Sequence, residues 1–293
     1  MNRSVLAIAL AALMPAAWGA PCTPGTTYGQ TLLEKLRASD PAVLAAAMHV
    51  TPPKGHDNLI VASTDPREIG RKSSAADLAV ISSGKPSIRL DTAHGRAEVR
   101  VPLEDVSHDV IGSLSVSFAA KAGADRRTLL RRAIAVRDRL RRRITLPGNV
   151  LDPVPYDPTM PSATDTYAQR LVDEVLARHP AVEIFAIHAT PPGGDYNVIV
   201  GSNIGRIGKK ADNDDMRAIY TGKTNLEVNE AGNRFEVEMQ LKDRAGRVIG
   251  AASVVYPYRK GDDRKALEAR AVAIKDALQK RIPDAASLFK PTH

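Results

Sequence analysis

His49-Val50-Thr51-Pro52-Pro53-Lys54-Gly55-His56-Asp57-Asn58 has a second version in the same chain, His188-Ala189-Thr190-Pro191-Pro192-Gly193-Gly194-Asp195-Tyr196-Asn197. The offset is 139 residues (188 − 49); it falls to 138 after one deletion and holds there to the end of each copy. The chain is therefore two copies of one module. In each copy an apolar run reaches the histidine. The proline pair then ends the run, because proline has no N–H for a strand ladder. A tight glycine turn follows, and Asn58-Leu59-Ile60-Val61-Ala62-Ser63 begins the return strand of a hairpin.

Outward from this hairpin, residues 28–39 predict a helix, with Leu32, Leu33 and Leu36 at helical spacing. Ser73 or Ser74 caps a short helix over 75–83 that stops at Gly84. Strands follow at 87–91, 96–103 and 110–117. Asp125 then opens a long helix to Ile144, with Leu129, Ala133, Val136 and Leu140 along one stripe. The second copy repeats the plan: a helix at 167–178, strands at 182–190 and 197–202, and a short helix that Asp212 to Asp215 cap and charge. That helix ends at Gly222, before strands at 225–229, 234–241 and 248–255 and a helix at 262–282. The expected fold class is α+β. Each module has a mostly antiparallel five-stranded sheet with helices on one face, long first and last helices, and one short internal helix. The boundaries are 26–146 and 163–293. Between them, Pro147, Pro153, Pro155, Pro158 and Pro161 predict an extended, stiff linker over 147–162.

Residues 1–19 have the pattern of a cleaved secretory signal: Arg3, an apolar run from Ser4 to Met14, then Ala17-Trp18-Gly19 before Ala20. A periplasmic or secreted protein follows as the expectation. A hydrophobic fraction of 43% supports a real core in each half, and the balance of 41 basic against 33 acidic residues is spread along the chain. Cys22 is the only cysteine, so no internal disulfide forms. Pro21 stands where a lipoprotein signal wants a small residue before the cysteine. Trp18 is the only tryptophan and leaves with the signal, so a mature site cannot stack a ligand on indole.

Ser202-Asn203-Ile204-Gly205-Arg206-Ile207-Gly208-Lys209, the helix end Tyr220-Thr221-Gly222-Lys223, and Asp243-Arg244-Ala245-Gly246-Arg247-Val248-Ile249-Gly250 together resemble the Cache superfamily of PAS-like extracytoplasmic sensor domains. In copy one the last motif is worn to Asp105-Val106-Ser107-His108-Asp109-Val110-Ile111-Gly112. The resemblance implies a small-molecule pocket on the sheet and a signal passed on by protein contact, with a membrane-bound signalling partner as one candidate. Citrate and dicarboxylate sensors of this superfamily carry a Ser-His pair before the R-I-G-K-like loop and an Arg on the pocket strand. Here Ser202-Asn203 and Ser63-Thr64 replace the pair, and the Arg position falls near Glu236 and Glu98. A carboxylate there repels an anion, so an amine, a cation or a neutral molecule is favoured over a carboxylate ligand.

The candidate ligand-binding residues are His188, Ser202, Arg234 and Glu236, with His49, Ser63, Arg96 and Glu98 in copy one. Strand alternation puts Ile184, Ala186 and His188 on one face. It also sets Arg96, Glu98 and Arg100, matched by Arg234, Glu236 and Glu238, opposite the apolar Phe235, Val237, Met239 and Leu241. The simpler role for each histidine is to fix the Thr-Pro-Pro turn. No second histidine, cysteine or paired carboxylate lies at ligand spacing beside either one, so neither a metal site nor a cofactor is expected. Asp212 to Asp215 lack the glycine and distal glutamate of a calcium loop, and helix capping accounts for them. Gly222-Lys223-Thr224 ends a helix rather than opening one, which excludes a phosphate loop. The arginines between 126 and 143 suit an anionic surface or acidic partner, though a solvated face suffices; the matching helix is diluted by Glu268 and Asp276. No nucleophile elbow, zinc motif or triad appears, so no enzyme is expected, and an exported protein has no nucleic-acid partner. The competing expectation is a PAS-like scaffold of the cell envelope that uses neither pocket.

Overall fold

The computed structural model describes residues 26–292. The expected signal peptide and Cys22 lie outside them. Module 1 comprises β1 (Thr26–Thr27), α1 (Tyr28–Ser39), β2 (Ala45–Val50), β3 (Leu59–Ser63), α2 (Ala75–Ser83), β4 (Ser87–Asp91), β5 (Arg96–Glu104), β6 (Val110–Ala119) and α3 (Arg126–Arg141). After β7 (Pro153–Val154), module 2 repeats it as α4 (Tyr167–Arg178), β8 (Ile184–Ala189), β9 (Val198–Ser202), α5 (Asn213–Thr221), β10 (Asn225–Val228), β11 (Arg234–Lys242), β12 (Val248–Pro257) and α6 (Arg264–Gln279). Both sheets are antiparallel with the same order, β3-β2-β6-β5-β4 and β9-β8-β12-β11-β10. The last strand of each module is thus central, paired with the histidine strand on one side and the charged alternating strand on the other.

Contrary to the expectation from sequence, the helices do not all lie on one face of the sheet. Leu32, Leu33 and Leu36 of α1 and Leu129, Ala133, Val136 and Leu140 of α3 pack on Met48, Val50, Val99, Val101, Leu114 and Val116. In module 2, α4 and α6 cover Phe185, Ile187, Phe235, Val237, Met239 and Leu241 in the same way. The short helices α2 and α5 lie against the opposite face, on β5 and β6 and on β11 and β12. Burying both faces explains why β8 is buried along its whole length although only alternate residues reach the large core. Each short helix carries a capping box, Ser74 with Asp77 and Asp212 with Asp215, and ends on a left-handed glycine, Gly84 or Gly222.

The segment between the modules is more structured than a stiff linker. Residues Pro147–Leu151 form a 3-10 turn, and β7 pairs with β1, returning the chain to the start of module 1. Asn149 is buried and donates to Asp152 at 2.9 Å and to the Ile204 carbonyl at 3.1 Å. The arginine-rich stretch of α3 and the residues after it is partly tied down as well, Arg139 to Asp40 and Arg143 to Asp173.

The final glycines of the two late motifs hold the central strand against the histidine strand. A Cβ built on Gly250 would overlap the carbonyl oxygen of His188, and one on Gly112 would overlap that of His49. Gly246 instead has open space and a φ of 82°, a turn requirement alone. In urea denaturation, Gly250→Ala is expected to cost about 3 kcal/mol or more, because backbone must move. Gly246→Ala is expected to cost only about 1–2 kcal/mol.

Candidate functional site

His49 and His188 both end up buried between the sheet and the short helix, on the face away from the large core. Neither forms a hydrogen bond to its Thr-Pro-Pro turn. His49 Nδ1 lies 3.0 Å from Ser73 Oγ, which itself donates to Asn58 Oδ1 at 2.6 Å, and His49 Nε2 lies 3.2 Å from Ser115 Oγ. One serine thus joins the histidine and the asparagine that bound the repeated motif. Asp77, projecting from α2, stands 3.7 Å from His49 Nε2. Arg100 Nε donates to Asp77 at 3.0 Å while its other nitrogen reaches Glu98 at 2.9 Å. Ser113 donates to Asp77 at 3.5 Å. Burial opposes the charge on Asp77, but the Ser74 hydrogen bond, His49 and Arg100 outweigh it and hold the carboxyl below its ordinary range. Burial lowers the affinity of His49 for a proton.

Module 2 keeps the histidine and the aspartate and loses what satisfied them. At the matching positions Ser73 becomes Ala211, Ser113 becomes Ala251 and Arg100 becomes Glu238. Ser253, the counterpart of Ser115, donates to Glu236 instead. His188 Nδ1 lies 3.3 Å from Asp215 Oδ1 but forms no hydrogen bond there, and the Asn197 Oδ1 that Ser73 would have reached is also without a partner. Burial pushes the Glu238 carboxyl far up, reinforced by its hydrogen bond to Asp215 and the Asp215 charge. Asp215 overcomes its own burial through Glu238 and His188 and is held low. Burial also raises Glu236, against the Ser253 hydrogen bond, and lowers His188. One ligand atom each from His188, Asp215 and Glu238 fall within 4.8 Å of one another. Contrary to the expectation from sequence, two carboxylates do stand beside His188: Asp215 arrives from α5 and Glu238 from β11.

Of the residues expected from sequence, His49, His188, Glu98 and Glu236 belong to these clusters. The other four do not. Arg96 is exposed and pairs with Asp91. Arg234 begins β11, about 13 Å of strand away from Glu238 at roughly 3.3 Å per residue. It donates to Asp105 at 2.8 Å, Ser107 at 2.6 Å and the Thr145 carbonyl at 3.1 Å, all in or just after module 1, with Glu183 at 3.7 Å. Ser63 ends β3, where it donates to Glu68 and accepts from the Asp65 amide, and Ser202 likewise accepts from the Ile204 amide after β9. Both hold turns at a strand end, which keeps their hydroxyls away from the histidine. The S-N-I-G-R loop docks on module 1. Asn203 donates to the Arg142 carbonyl at 2.7 Å, and Gly205 lies so near Tyr28 that a Cβ would come within 2.6 Å of the ring. A cleft of about 370 Å³ opens there, lined by Tyr28, Lys35, Arg139, Arg143, Gln169 and Ser202 among others.

Asp77, Arg100, Asp215 and Glu238 were not among the expected site residues. The signal for them was the exchange of Arg100 for Glu238 just after two charges, Arg96/Arg234 and Glu98/Glu236, that are kept between the copies. No protein-family model and no curated protein matches the chain. Among solved structures it is similar to the A. aeolicus nlh2 GAF domain in an inactive state, at 15% identity and a TM-score of 0.29, covering 38% of this chain and 77% of that one. It is similar to a type II free methionine-R-sulfoxide reductase from Thermoplasma acidophilum, at 17% and 0.28, covering 38% and 85%. The inducer-binding domain of PobR from Acinetobacter, in complex with 3-hydroxybenzoic acid, aligns at 15% and 0.26, covering 39% and 95%.

The inter-module contact has its own pH response. Burial pushes the Glu183 carboxyl up to about 7, against Arg234 and the Ser107 hydrogen bond. The stability held in that proton is complete below about 4.5, the ordinary value, and is lost as pH rises through about 7. Glu183→Gln is therefore expected to gain on the parent as pH rises from 5 to 8, by about 2–4 °C in melting temperature for each kcal/mol recovered. Thermal scans across that range check it.

Proposed function

We propose that this is an exported two-module sensory protein of the Cache type, in which module 2 binds a positively charged small ligand and module 1 is filled by its own side chain. The exchange of Arg100 for Glu238 carries this reading. In module 1 a guanidinium lies between Asp77 and Glu98. In module 2 the same place is bounded by Asp215, Glu236 and Glu238, with no arginine among them. A buried acidic cluster is stable when its carboxylates are protonated or when a cation is supplied. A bound cation does what Arg100 does next door, and a carboxylate ligand meets repulsion. Export is supported by the composition of residues 1–19. No helix among the described residues is long and apolar enough to cross a membrane. The ligand signal is read by a partner protein. The route outward runs along β11, which carries Glu236 and Glu238 in the site and Arg234 in the contact with module 1.

Thermal unfolding in the presence of organic amines, divalent cations and carboxylates tests the proposal. A cation at a hundredfold excess over its Kd is expected to raise the melting temperature by about 5 °C or more, with no shift from carboxylates. Glu238→Arg is expected to raise the melting temperature unaided and to remove the response to cations. A shift from carboxylates alone, or a cation response that survives Glu238→Arg, overturns the reading. No shift from any compound favours a scaffold.

A further inference from the structure

We infer that the occupant of module 2 is a divalent metal ion of the zinc class, held by His188 Nδ1, Asp215 and Glu238. This rests on the proposal that the module takes a cation, and names which kind. Three observations carry it. The first is the donor set: one imidazole nitrogen and two carboxylates are the mixed ligands that zinc-class ions accept, whereas calcium and magnesium prefer oxygen alone. The second is geometry. The three ligand atoms fall within 4.8 Å of one another, and Nδ1 stands 3.3 Å from Asp215 Oδ1. With metal bonds of about 2.0–2.1 Å, two ligands of a tetrahedral site are about 3.3–3.4 Å apart. The histidine and aspartate already stand at that spacing, and a small movement of Glu238 closes the set.

The third observation is independent of the acidic cluster. His188 is 5% exposed and its Nδ1 has no hydrogen-bond partner, although it faces a carboxylate. Buried polar nitrogens are rarely left so. In module 1 both nitrogens of His49 meet serine hydroxyls. The counterparts of those serines beside His188 are Ala211, which has no hydroxyl, and Ser253, which has turned to Glu236. Of the side chains that satisfy His49 and Asp77 in module 1, Ser73, Ser113 and Arg100 are replaced in module 2 by Ala211, Ala251 and Glu238. Each change removes an internal donor, and the last also adds a ligand. Three protein ligands leave a fourth position open for water or a small molecule. Asn197 Oδ1, the counterpart of the Asn58 oxygen that Ser73 reaches in module 1, is also buried without a partner.

The test uses the full chain stripped of metal with a chelator, then titrated with Zn(II), and with Co(II) as a spectroscopic probe. One equivalent is expected to bind, with visible Co(II) absorption of four- or five-coordinate intensity. His188→Ala, Asp215→Asn and Glu238→Gln are each expected to weaken binding by about 100-fold or more, since losing a direct ligand exceeds the 10–100-fold cost of losing an outer-shell partner. Glu238→Arg keeps the fold by supplying the guanidinium of module 1, and is expected to abolish the signal. His49→Ala, in the other module, is expected to leave it unchanged. Co(II) binding that persists in Glu238→Arg, or binding only at octahedral surface sites, overturns the metal assignment. If an organic amine stabilises the protein in a Glu238-dependent manner while Zn(II) and Co(II) do not, the metal assignment fails and the cation reading stands. If neither amine nor metal binds, both fail.

Discussion

A carboxylate buried between a sheet and a helix must share a proton or face a positive charge. Asp77 and Asp215 impose that demand at the same place in two copies of one fold. Each is fixed there by the capping box of its short helix, so neither can swing out to water. Module 1 answers with Arg100, seated between Asp77 and Glu98 and supported by serine hydroxyls. Module 2 answers with Glu238, which shares a hydrogen bond with Asp215 and leaves His188 Nδ1 unmatched. One module is closed electrostatically from within, and the other is short of positive charge.

The frame that makes this comparison possible is the same in both modules. Gly112 and Gly250 let the central strand approach the histidine carbonyls, so both histidines take the same depth and face. The long helices bury the opposite side of each sheet with large apolar residues, which leaves the short helix as the cover over the polar face. Differences between the two sites therefore come from a few side chains, not from a different backbone.

The same strand that carries Glu236 and Glu238 also carries Arg234, whose guanidinium joins Asp105, Ser107 and the Thr145 carbonyl of the other half. Asn203 and Arg206 add further ties from the loop after β9 to Arg142 and Asp152. The two modules thus meet through buried and half-buried polar groups, whose directional bonds fix orientation, and through a small apolar contact of Val106 with Ile184, Val255 and Ile204. Arg234 was expected in the pocket because it shares a face with Glu236. Strand alternation gives the face of a side chain correctly and says nothing about which part of that face lies under the helix.

The sequence by itself determined the repeat, the α+β class, the strand and helix order, the capping of the short helices and the face on which each histidine lies. These follow from local periodicity, turn chemistry and caps, which act over a few residues. Tertiary structure alone decided that the short helix covers the face opposite the long ones. It also brought Asp215 and Glu238 to His188 from 27 and 50 residues away (215 − 188; 238 − 188), and turned Arg234, Ser202 and Ser63 to other work. Spacing along a chain reveals ligand partners most readily when they sit on one element. Here each comes from a different one, and the sheet order that joins them is set by packing of the whole module.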